Sequence, residues 1–139
     1  MIASLAVSEP YIRAITSVQM AKARSREKWL RSFRPRAPVA GRTVIVVDEG
    51  LAAGATMRAS IQSLQARHPA RLVVAVPVGA REACAAVQHE VNEIVCLKQP
   101  EPFVAIGTYY QHFHAVEDAD VRQLLVGAVP NRQAAMPVP

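Results

Sequence analysis

Four β-branched residues in a row, Val44-Ile45-Val46-Val47, run directly into Asp48-Glu49 and then into a turn of small residues, and this constrains the chain more than any other feature. Such a run calls for burial on both faces, as in a strand inside a parallel sheet. The chain then leaves the strand at the carboxyl edge of the sheet, where open α/β sheets bind their ligands. Gly50 and Gly54, set among Ala52, Ala53 and Ala55, allow a tight turn and a close approach of backbone to ligand. Thr56 stands where an N-cap hydroxyl would open the next helix. Free backbone N–H groups at a helix start favour an anion, and two acids behind a buried strand need polar partners. Together these residues read as a sugar-phosphate site.

Two other phosphate-binding patterns are excluded. A P-loop requires a lysine after its last glycine, whereas Gly54 is followed by Ala55-Thr56. A dinucleotide fingerprint requires G-x-G-x-x-G, and that spacing does not occur. Nor is there a Gly-x-Ser-x-Gly elbow of the kind serine hydrolases use.

Helix and strand patterns alternate along the chain. A basic helix is predicted over residues 8–33, with Pro10 in its first turn and with Trp29 and Phe33 as packing residues on one face. Residues 34–38 form a Pro-rich linker. A strand at 43–48, a helix at 56–68, a buried strand at 72–76 ended by Pro77, a helix at 81–90 and a strand at 93–97 follow, which predicts parallel strands joined by crossover helices. A Pro-rich loop at 98–106, an aromatic stretch at 109–114 and a helix at 117–125 complete the pattern. The expected organisation is a basic helix and linker over 1–42, an α/β domain over 43–126 and a disordered tail over 127–139.

With 139 residues, 51% of them hydrophobic, the chain can bury one core. Its formal charge of +5 is concentrated in residues 1–42, where nine Lys and Arg face only Glu9 and Glu27. No aromatic interleaving accompanies that charge, so nucleic acid is not the expected partner. Cys84 and Cys96 are too few and too far apart for a Cys-x-x-Cys metal site and read as reduced thiols of a cytoplasmic protein. The first residues lack a basic n-region and meet Glu9-Pro10 early, so neither a signal peptide nor a membrane span is expected. His112 and His114 share a face if that stretch is extended, but no acid or Cys cluster completes a metal site, and they read as surface or packing residues. Tyr109 and Tyr110 read as packing residues in preference to stacking platforms for a substrate base.

The run from Val44 to Thr56 resembles the ribose-5-phosphate-binding motif of type I phosphoribosyltransferases, an apolar strand, two acids, a spacer and Thr-Gly-x-Thr. Asp48, Glu49, Gly54 and Thr56 fall on matching positions, while Ala53 stands where a threonine is usual. Gly41-Arg42-Thr43, Pro77, Val95-Cys96-Leu97, Pro100-Glu101-Pro102-Phe103 and Gly107-x-Tyr109-Tyr110-x-x-Phe113 extend the likeness to residues 7–126, matching the carboxyl half of a bacterial group of such proteins.

The resemblance implies a Rossmann-like α/β fold, here an incomplete parallel sheet of about three strands. It implies binding of phosphoribosyl pyrophosphate (PRPP) or ribose 5-phosphate by Asp48, Glu49, Gly50, Leu51, Ala52, Ala53, Gly54, Ala55 and Thr56. In that reading Asp48 and Glu49 are the catalytic pair that holds the ribose hydroxyls, and the loop wraps the 5′-phosphate. A magnesium ion would enter bound to PRPP, and the phosphoribosyl group would pass to a nitrogenous acceptor in nucleotide metabolism. Nothing in residues 1–42 reads as the family's pyrophosphate loop, so the sequence looks like an amino-terminally shortened member. Two consequences are expected. The chain is either a transferase or a non-catalytic sugar-phosphate-binding module, and the open edge of the 43–48 strand leads to a homo-oligomer or to pairing with a complementary chain.

Overall fold

A computed structural model describes residues 7–32 and 35–127. They form two compact units, one of Ala37–His114 and one containing the first and last helices. The expected tail beyond residue 127, Phe33 and residues 1–6 lie outside the described residues.

In the helical unit, α1 runs over Glu9–Leu30 with Pro10 in its first turn, where a missing N–H goes unnoticed, and no residue of it is buried. The last helix, α4 (Asp118–Gly127), expected as the end of the α/β domain, groups with α1 instead. The reason is local chemistry. Arg26 pairs with Asp118 at 2.5 Å, and the Arg122 guanidinium sits 4.9 Å from the centre of the Trp29 ring. Trp29 therefore does pack, though against a cation.

The other unit contains β1 (Thr43–Val47), α2 (Ala55–Gln65), β2 (Arg71–Val78), α3 (Arg81–Gln88) and β3 (Glu93–Lys98). The strands lie in the order β1-β2-β3, and both pairings are parallel. Ile45 stands opposite Val73 and Val73 opposite Glu93, while Val47, Ala75 and Val95 form the next row. One face of the sheet carries Val44, Val46, Leu72, Val74, Val76, Ile94 and Cys96, and these pack with Met57 and Ile61 of α2 and with Ala83, Cys84 and Val87 of α3.

The opposite face is largely bare, with Ile45 61%, Val47 72% and Leu97 80% exposed. The two-sided burial expected of Val44 to Val47 is thus corrected. Among the described residues β1 has a strand on one side only and helices on one face only, so its burial alternates. A β-branched run reports strand propensity and cannot report what covers the strand.

Pro77 does not end β2 as expected; the strand continues to Val78. The last residue of β1, Val47, pairs with Ala75, so Pro77 lies past the end of β1, and the register on β3 passes from Val76 to Val78. A proline is tolerated where no neighbour needs its N–H. Helix α2 stops at Gln65, short of the predicted residue 68, because His68 takes a left-handed φ of 53° just before Pro69. Among the described residues no helix is long and apolar enough to cross a membrane.

Candidate functional site

The site is assembled where β1 ends. Asp48 and Glu49 follow the strand, and the Glu49 N–H donates to Asp48 Oδ1 at 3.1 Å, which folds the two carboxylates into one turn. Burial raises the Asp48 carboxyl above the usual aspartate range, and the Glu49 charge beside it adds to the effect. Glu49 moves the other way, lowered by its hydrogen bond with Asp48 and by its own backbone N–H. The two neighbouring carboxyls are thus shifted in opposite directions.

Gly50 comes next and is fixed by space. An added Cβ would stand 2.8 Å from Ile106 Cγ2 and 3.1 Å from Val78 Cγ1. Leu51 then drops into the core at 2% exposure and forms a parallel bridge with Gly79. Its N–H donates to the Val78 carbonyl at 2.9 Å, and its own carbonyl accepts from the Ala80 N–H at 2.8 Å. Ala52 and Ala53 form the exposed crest of the loop.

Gly54, not Thr56, caps α2, and its φ of 75° is a left-handed conformation that glycine adopts without strain. Its carbonyl accepts the first helical bond, from the Arg58 N–H at 2.9 Å. The N-cap role expected of Thr56 is therefore corrected. Thr56 lies inside the first turn, and no side chain caps this helix. With the cap supplied by a glycine, the first N–H groups of α2 lack intrahelical acceptors and face the loop.

These residues enclose a hollow of ≈ 330 Å³ lined by every residue from Asp48 through Met57 together with Ile106. One end carries two carboxylates, the other the positive end of α2. Such polarity suits a molecule with hydroxyl donors at one end and an anion at the other. A larger groove of ≈ 610 Å³ runs between α1 and α4, but its Arg26, Arg31 and Glu27 already take part in ion pairs, and nothing converges on a ligand there.

The structure adds two residues to the site that the sequence did not assign to it. The Tyr110 hydroxyl donates to the Glu49 carbonyl at 2.6 Å, across 61 positions of sequence, and Ile106 leans on Gly50. Both belong to the segment after β3, where a short 3-10 turn spans Ile106–Tyr109. The aromatic packing expected of Tyr109 and Tyr110 is present, with Phe103 and Tyr109 centroids 5.8 Å apart and Tyr110 and Phe113 5.3 Å apart. That aromatics cluster in this segment was visible in the sequence; that one hydroxyl tethers the acid turn was not. His112 and His114 have ring centroids 6.3 Å apart, and among the described residues no group of three metal-ligating side chains occurs. Cys84 is buried, its thiol pushed up to about 11 by desolvation and by Cys96 beside it, and both cysteines are free.

A family model described as the phosphoribosyl transferase domain matches residues 5–112. Two proteins of Mycobacterium tuberculosis, from strains CDC 1551 and H37Rv, both provisionally named as phosphoribosyl transferases, are 34% identical over 108 residues. The match takes in 78% of this chain but only 24% of each of those proteins. The crystal structure of TT1426 from Thermus thermophilus superposes with a TM-score of 0.78 at 36% identity, covering 87% of this chain and 58% of that one.

Proposed function

We propose, for a chain that belongs to the phosphoribosyl transferase domain family, that the hollow at the end of β1 binds PRPP or a ribose 5-phosphate. The observation that carries this reading is the opposed polarity of the Asp48–Thr56 turn. Asp48 and Glu49 accept hydrogen bonds from the ribose hydroxyls, and the N–H groups of Ala52 to Thr56 at the start of α2 receive the 5′-phosphate. Ala53 offers its backbone alone, so the phosphate relies on main-chain donors and on the Thr56 hydroxyl.

Phosphoribosyl transfer to a nitrogenous acceptor is the reaction this binding would serve. Developing positive charge on the ribose ring lies next to the carboxylate pair, which stabilises it. Magnesium fits here as a companion of the ligand, since the lining of the hollow offers only the Asp48 and Glu49 carboxylates and among the described residues no group of three ligating side chains occurs; when bound, it would neutralise pyrophosphate oxygens. One observation favours the second reading, a sugar-phosphate-binding module without turnover. The lining contains no Lys or Arg to receive a departing pyrophosphate. In either case β1, which among the described residues has a strand on one side only, supports work as a homo-oligomer or beside a complementary chain.

Titration calorimetry with ribose 5-phosphate, and with PRPP plus magnesium, tests the site. Asp48→Asn and Thr56→Val should each weaken binding, by about 1–3 kcal/mol for the charged partner. Equal affinity in wild type and both variants would place the ligand elsewhere. Pyrophosphate release by the chain alone, abolished in Glu49→Ala, would select the enzyme over the binding module.

A further inference from the structure

We infer that Cys84 and Cys96 form a reversible modification site, at which an external low-molecular-weight disulfide installs a cross-link within the chain, beneath the Leu51–Gly79 anchor of the loop. The chain's two cysteines come from different elements. Cys84 closes the first turn of α3, its N–H donating to the Ala80 carbonyl at 2.9 Å, while Cys96 lies in β3, against which α3 packs. Their sulfurs crowd one point. A Cβ added to Gly79 would stand 2.6 Å from Cys84 Sγ and 3.3 Å from Cys96 Sγ, so the missing side chain is what leaves room for both thiols. The same Cβ would stand 3.3 Å from Leu51 Cβ, in the residue bridged to Gly79. Two small apolar side chains would fill this space as well; a pair of thiols can also be joined there.

The surroundings divide the roles. Cys84 is buried and Cys96 only partly so. Burial, with Cys96 beside it, pushes the Cys84 thiol up to about 11, which makes it a poor first nucleophile. Cys96 therefore loses its proton to solvent and attacks the incoming disulfide, RSSR, forming a mixed disulfide and expelling one thiolate. That thiolate takes the Cys84 proton, and the Cys84 sulfur attacks Cys96 Sγ and expels the second thiolate, which is protonated by solvent. Two protein thiols are oxidised to one disulfide, and RSSR is reduced to two RSH. The link joins α3 to β3 around Gly79. The Gly79 N–H donates to the Lys98 carbonyl at 3.0 Å, and the Cys96 thiol donates to the same carbonyl at 3.3 Å. Oxidation removes the thiol donor and leaves the backbone bond, so the end of the sheet keeps its ladder.

Peptide mapping of the full chain, reduced, incubated under native conditions with oxidised glutathione and quenched in acid, provides the test. The expected product is a Cys84–Cys96 link within one chain, with the loss of two hydrogen atoms, that dithiothreitol reverses. Because the link restricts the unfolded chain, it should raise Tm by roughly 5 °C or more, and neither Cys84→Ala nor Cys96→Ala should show that rise. Iodoacetamide should label Cys96 at least about tenfold faster than Cys84 in the folded chain. A glutathione adduct that never closes, links that form only between chains, or closure only after denaturant is added would each overturn the inference. So would faster labelling of Cys84, or a link that lowers Tm. The mapping and the labelling use the wild-type chain, so they decide the matter even where a variant fails to fold.

Discussion

Replacing Gly50 with alanine should destabilise the protein through a single steric conflict. The added Cβ would stand 2.8 Å from Ile106 Cγ2 and 2.9 Å from Cγ1, with Val78 Cγ1 at 3.1 Å. Carbon atoms in contact prefer about 3.5–4.0 Å, so the shortfall is greatest against two atoms of a β-branched side chain that has little freedom at χ1. Overpacking of this kind costs about 1–3 kcal/mol. Against it stands a gain of about 0.4–1 kcal/mol from the stiffer unfolded chain. That gain is available here because the positive-φ glycines are Gly41 and Gly54, not Gly50. The net loss is roughly 1–2 kcal/mol, a fall in Tm of roughly 5–10 °C for a unit of this size. A double-mutant cycle by chemical denaturation isolates the cause. Ile106→Ala removes both of the nearest atoms, so Gly50→Ala should be less harmful in that background, with a coupling of about 1 kcal/mol or more. A neutral Gly50→Ala, or two changes that simply add, would refute the contact between turn and buttress.

Tyr110→Phe deletes the donor to the Glu49 carbonyl while leaving the ring against Phe113, and should reduce stability by about 0.5–1.5 kcal/mol and weaken ribose 5-phosphate binding; an unchanged melt and an unchanged isotherm would separate the tether from the site. For Asp48 the sign follows from its raised carboxyl. The native state holds that proton more tightly than the unfolded chain, so this residue's contribution is present below the ordinary aspartate range and is lost as pH rises through the raised one. Asp48→Asn should therefore raise Tm relative to wild type near neutral pH, with the difference shrinking on acidification, and melts across the acid range check both parts.

The order of elements and the place of the candidate site were legible in the sequence because they rest on local signals. Valine-rich strands, intervening helices and a glycine turn after two acids each declare themselves within about ten residues. The readings that needed correction depended on what lay across the fold. Whether Val47 is covered depends on the neighbours of β1. Whether Pro77 stops a strand depends on how far β1 runs beside it. The cap fell on Gly54 because its left-handed backbone ends the loop two residues before the first available hydroxyl. Tyr110 reaches Glu49 only because the segment after β3 folds back over the sheet's carboxyl edge, a return that no periodicity announces. The pairing of α4 with α1 likewise depends on Arg122 and Trp29, far apart in sequence.

The bridge between Leu51 and Gly79 sets how the loop can respond to a ligand. Leu51 is fixed in the core at one end, and at the other Gly54 passes directly into α2, with Met57 buried below it. Only Ala52 and Ala53 lie between these anchors. Ordering a residue costs about 1–2 kcal/mol of backbone entropy, so a ligand here need immobilise two residues, not a whole flap. The loop between Leu51 and Gly54 is therefore not itself a swinging lid: its two anchors hold it in place before any ligand arrives.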